Sequence, residues 1–75
     1  MNIEVLRDLL RRQPFEPFRV TLSSGDRYEV RHPEMAWLTR TGLYVGLPGN
    51  ASDLPDWGVF CALLHIAAVE TLAAA

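Results

Sequence analysis

WGVFCALLHIAAVE, residues 57–70, decides the fold, because it is apolar almost throughout and reads in two ways. As two strands over about 57–62 and 66–71, joined by a tight connection at 63–65, it sends Val59, Cys61 and Leu63 to one face and leaves outer strands free to pair. As a helix it lines up Val59, Leu63, Ile66 and Glu70 in one stripe and makes a two-helix α+β domain. The β-branched Val59, Ile66 and Val69 favour strands, as does the need of an upstream hairpin for further strands to support it.

That hairpin lies in residues 14–34, PFEPFRVTLSSGDRYEVRHPE, where apolar and polar residues alternate on both sides of a Ser-Ser-Gly-Asp turn. Phe18, Val20 and Leu22 share one face of a strand over 18–23, with Arg19, Thr21 and Ser23 on the other. Gly25 supplies the positive φ of a short loop, and the partner strand begins near Arg27, with Tyr28 and Val30 continuing one face. His32-Pro33 interrupts it, since Pro33 has no N–H to give to a ladder. The alternation resumes at Met35, Trp37 and Thr39, which predicts one long, sharply bent strand over 27–39 or two short ones. Thr41-Gly42 turns the chain into a strand over 43–47. Residues 48–56 then form a loop of Pro, Gly, Asn, Ser and Asp, expected to be the most mobile part of the ordered chain.

Ahead of the hairpin, Asn2 can cap a helix over about 3–13 whose Ile3, Leu6, Leu9 and Leu10 form one apolar stripe. Pro14 ends it, and Pro14, Phe15 and Pro17 make an extended connector. Glu4 and Asp8 are like charges four residues apart, so Glu4 is expected to lean toward Arg7 and Asp8 toward Arg11 or Arg12.

Seventy-five residues make one small domain, whose modest core is often supplemented by oligomerisation. At 49% hydrophobic residues the chain is expected to fold. The net charge of −2 disfavours binding nucleic acid through a broad basic surface. All basic residues are arginine, a compositional hint of a source rich in G+C. The single Cys61 cannot close an internal disulfide and reads as a buried core thiol. With no signal peptide and no apolar run of bilayer length, a reducing cytosol is the expected location. The terminal Leu72-Ala73-Ala74-Ala75 resembles a translated cloning site, so the alanines are left out of the fold reasoning.

In order, the elements are a helix, a long bent hairpin, a third strand, a loop and a closely linked final pair. That order resembles the Sm-like small barrel, through FRVTLSSGDRYEV as first strand, turn and second strand and LLHIAAVE in the place of the final pair. The resemblance implies a mainly β, α+β fold: an N-terminal helix capping a strongly bent five-stranded antiparallel sheet. It also implies rings assembled by pairing edge strands. LRDLLRRQPFEPFRVTLSSGDRYEVRHPE is in addition similar to a group of small uncharacterised bacterial proteins, a likeness that implies no activity. The RNA-contacting motifs of Sm proteins do not carry over. Leu63-Leu64-His65 stands where they place an Arg-Gly-Asp/Asn-like turn, so only His65 could touch a nucleotide there.

Candidate chemistry is sparse. In Arg31-His32-Pro33-Glu34, His32 and Glu34 could pair for proton transfer or supply two metal ligands, but zinc needs three or four, and nothing in the spacing recruits His65 or Cys61. A bend with a solvated His32 is the favoured reading. Asn50, Asp53 and Asp56 lack the spacing of a calcium loop and read as turn and cap residues. Ser23 and Ser24 belong to a turn, and no nucleophile elbow, phosphate loop or dinucleotide fingerprint occurs. Trp37 and Trp57 read first as core or subunit-interface residues. With Arg27, Arg31 and Arg40 they also keep a single-strand-binding face open. The expected function is a non-enzymatic, self-associating interaction module without a cofactor, metal or membrane partner, which presents a surface to another protein. The alternative is an Sm-like ring binding single-stranded RNA. The residues nominated for a partner or RNA contact are Arg31, His32, Glu34, Trp37, Arg40 and His65.

Overall fold

The computed structural model describes residues 1–48 and 55–72. In chain order the elements are α1 (Ile3–Arg11), β1 (Phe18–Leu22), β2 (Arg27–Val30), a 3-10 turn at Pro33–Met35, β3 (Ala36–Leu38), β4 (Gly42–Pro48), β5 (Pro55–Ala62), a 3-10 turn at Leu63–His65 and β6 (Ile66–Thr71). The segment that decides the fold therefore forms strands. Its loop neighbour, together with Asn50 and Asp53, falls mostly on 49–54. Those residues and the alanines at 73–75 lie outside the described residues. Both flanking strands run further into that stretch than the sequence pattern indicates, β4 to Pro48 and β5 from Pro55.

α1 starts as its sequence dictates, with the Asn2 side-chain oxygen accepting from the Glu4 N–H at 2.9 Å. It buries Leu6 and Leu9. The helix stops two residues short of the expected 13, because Arg12 is already extended (φ −64°, ψ 137°) ahead of Pro14. Arg7 pairs with Glu4 at 2.7 Å. Arg12 turns to Glu16 at 3.5 Å, and Asp8 makes no ion pair among the described residues.

Six strands form two separate three-stranded antiparallel sheets, ordered β2-β1-β6 and β3-β4-β5. This corrects the expectation of one bent five-stranded sheet in an Sm-like barrel: among the described residues no ladder joins the two sheets, and no barrel closes. The cause lies at Pro33. Lacking an N–H, it starts a 3-10 turn instead of continuing β2, and the Met35 N–H donates to the His32 carbonyl at 3.0 Å. The expected strand over 27–39 thus divides into β2, which pairs only with β1, and β3, which pairs only with β4. A second 3-10 turn, Leu63–His65, separates β5 from β6 in the same way, so β6 pairs with β1.

Both sheets and the helix contribute to one core. Phe18, Val20, Val30 and Ile66 come from the first sheet, Leu43, Val45 and Cys61 from the second, and Leu6 and Leu9 from α1. The β1–β2 turn is built by Gly25 at φ +96°, whose N–H donates to the Leu22 carbonyl at 2.9 Å. Burial pushes the Cys61 thiol pKa up, which disfavours the thiolate that reactivity requires.

Across the solvent face of the first sheet, charges alternate from strand to strand. Arg19 on the central strand donates to Glu29 of β2 at 2.9 Å and to Glu70 of β6 at 3.0 Å, and Arg31 holds the other oxygen of Glu29 at 2.7 Å. The hydrogen bond from Arg19, and then that from Arg31, lowers the Glu29 pKa from its ordinary value. A carboxylate with a depressed folded-state pKa contributes stability above its unfolded pKa, about 4.3, and loses it as the pH falls through the lower folded value. Thermal melts from pH 7 to pH 3 are therefore expected to show Glu29→Gln less stable than the native chain at pH 7, with the gap closing below about pH 4. A gap that stays constant over that range would show that the carboxylate charge contributes nothing.

Candidate functional site

Strand alternation in β4 sends Leu43 and Val45 into the core and Tyr44 and Gly46 to the opposite face. Register then aligns the neighbours: Trp37 of β3 lies opposite Tyr44, and Tyr44 lies opposite Phe60 of β5. Three aromatic side chains thus form a row across the outer face of the second sheet. Trp37 is 74% exposed and Tyr44 48%. The Tyr44 and Phe60 rings sit 4.7 Å apart, centroid to centroid, at 48°.

The next row on that face has no side chains, because Gly46 of β4 pairs with Gly58 of β5. A Cβ on Gly46 would stand 3.0 Å from the Pro55 ring and 3.4 Å from the Met35 carbonyl oxygen. The result is a groove of 540 Å³ with a glycine floor, flanked by Trp37 and Tyr44 on one side and by Pro55 and Trp57 on the other, with Glu34 in its lining. Trp57 pairs with Leu47 and has the same strand parity as Val59 and Cys61. It lies beyond the core at the end of the sheet and is 60% exposed. A second concavity of 570 Å³ adjoins the groove through Met35, Gly46 and Trp57, and is lined by Arg27, Tyr28, Glu29, Arg31 and His32.

Of the residues nominated from sequence, Glu34 and Trp37 line the groove, and Arg31 and His32 line its neighbour. Arg40 lines a third concavity, between the β3–β4 turn and α1, with Arg7 and Arg11. His65 sits elsewhere: its carbonyl accepts from the Ser23 N–H at 2.8 Å, at the Leu22 end of β1, whereas Arg31 follows Val30, which pairs with Phe18 at the other end. The two histidines therefore do not converge, and buried Cys61 joins neither. Among the described residues no three His, Cys, Asp or Glu side chains are grouped to hold a metal. No described helix is long and apolar enough to cross a membrane.

Sequence reasoning missed Tyr44, Phe60 and the two floor glycines. The signal was present in Gly42-Leu43-Tyr44-Val45-Gly46, whose alternation puts Tyr44 with the glycines and away from Leu43 and Val45. Neither tryptophan belongs to the core. Met35, Trp37 and Thr39 continue an apolar alternation on paper, but the chain leaves the 3-10 turn with the parity it had in β2, so that Ala36 and Leu38, in step with Tyr28 and Val30, pack against the core and Trp37 faces out. No protein-family model matches the chain, and neither a curated protein nor a solved structure matches it significantly.

Proposed function

We propose that this protein is a non-enzymatic, cytoplasmic interaction module that associates with copies of itself through its strand edges. The observation that carries the reading is the contrast among the four outer strands. β2 and β3 are edges of four and three residues, and β2 carries Arg27 and Glu29. β5 and β6 are edges of eight and six residues. Each of these longer edges has one charged residue, Asp56 and Glu70, and Glu70 is engaged by Arg19 within its own sheet. Long edges with a single charged residue each favour pairing with another chain more than short, charge-guarded ones do. A core as small as this one also gains from assembly.

Sedimentation velocity at tens to hundreds of micromolar is expected to give a mass of more than one chain. Ala68→Lys places a charge on an exposed position of β6 and is expected to shift that mass toward a single chain with the circular dichroism spectrum unchanged. A native chain that sediments as a monomer throughout that range would end this reading. The RNA alternative has no comparable support, since His65 lies away from Trp37 and Arg40, which line different concavities.

A further inference from the structure

We propose that the groove over Gly46 and Gly58 binds an extended segment of another protein through an arginine or lysine side chain of that segment. Exposed tryptophans in one contiguous concavity are unusual for a surface left in water. Here Trp37, Tyr44 and Trp57 surround a floor that register keeps free of side chains.

Charge complementarity identifies the occupant. Among the described lining residues Glu34 is the one carboxylate, and no arginine or histidine is among them. In the adjoining concavity Arg31 is already held by Glu29 at 2.7 Å. A guanidinium or ammonium gains twice in such a site, from the negative faces of the aromatic rings and from the carboxylate. A phosphate backbone meets only repulsion from Glu34, so stacking of a nucleic acid on Trp37 is disfavoured by sign. A flat glycine floor accepts an extended backbone at close approach, which fits a peptide segment.

The test uses the intact chain and a proline-rich heptapeptide with one central arginine, compared with the same peptide carrying citrulline, its neutral isostere. Binding is read from the indole N–H resonances of Trp37 and Trp57 and from tryptophan fluorescence. The arginine peptide is expected to shift both indoles and to bind about tenfold more tightly than the citrulline peptide, a preference that Glu34→Gln abolishes. Equal affinity for the two peptides, or no binding at millimolar concentration, overturns the proposal. So does an oligothymidylate that shifts the same indoles, or a shift of those resonances with protein concentration alone. Sedimentation of the same samples reports self-association separately, so failure of one reading is distinguishable from failure of the other.

Discussion

Phe18→Ala is expected to remove about 3–5 kcal/mol of stability, a large part of what a chain of this size has. Phe18 is fully buried and is the largest side chain in the fully buried set. It lies on β1, the central strand of its sheet, opposite Val30 on one side and Thr71 on the other. Its ring centroid is 6.1 Å from that of Phe15, so the connector between α1 and β1 packs on the same side chain. A domain of this length has roughly 4–11 kcal/mol of stability in total. The truncation removes about a quarter of it or more, because the transfer cost of the ring and the cost of the residual cavity add. Urea titration followed by circular dichroism measures the loss, and Val5→Ala on the exposed side of α1, expected to stay within about 0.5 kcal/mol, is the control. A loss below about 1 kcal/mol at Phe18 would place the centre of the core elsewhere.

Gly42→Ala is the other substitution expected to have a large effect, although it adds a single methyl group. A Cβ at this position would run into the carbonyl oxygen of Cys61 and stand 2.6 Å from the Phe60 Cζ atom. The aromatic ring can rotate away. The carbonyl belongs to β5 in the register that pairs Gly42 with Ala62 and Leu43 with Cys61, so it moves only if the strand moves. The expected cost is about 1–3 kcal/mol from overpacking. Adding Phe60→Ala should not restore the stability, because the backbone contact remains. Gly25→Ala makes a useful comparison. Nothing lies within 4 Å of its added Cβ, and the cost there comes from φ +96° alone, about 1–2 kcal/mol. If Gly42→Ala melts with the native chain, β4 and β5 are not as close at this point as their register implies.

Much of the local architecture was legible in the chain. The Asn2 cap, the Leu6 and Leu9 stripe, the Phe18 and Val20 face and the Gly25 turn each depend on residues within a few positions of one another. Local sterics and hydrogen bonding specify such features wherever they occur. The strand after the Thr41-Gly42 turn is legible in the same way, whereas strands over 57–71 compete with a helix in the sequence. The groove was only half legible. Its aromatic residues are plain in the sequence, but their meeting over Gly46 and Gly58 depends on the pairing of β3, β4 and β5.

What the sequence by itself determined, then, is the turns at Gly25 and Pro33 and the alternation along each strand, not the ends of β4 and β5 or the choice of strands over a helix at 57–70. Only the tertiary structure decided which sheet each strand joins and which of its two faces is buried. Period-2 alternation is unchanged by exchanging the faces, so the sequence around the Pro33 turn fits Met35 and Trp37 inward as well as Ala36 and Leu38 inward, and packing selects the second. Sheet membership is set by contacts between distant segments, such as Val20 with Val69 and Val45 with Val59, for which no local signal exists. The same long-range choices leave Trp37 in water and Cys61 in the core, because burial goes to the side chains that the helix and the facing sheet jointly cover.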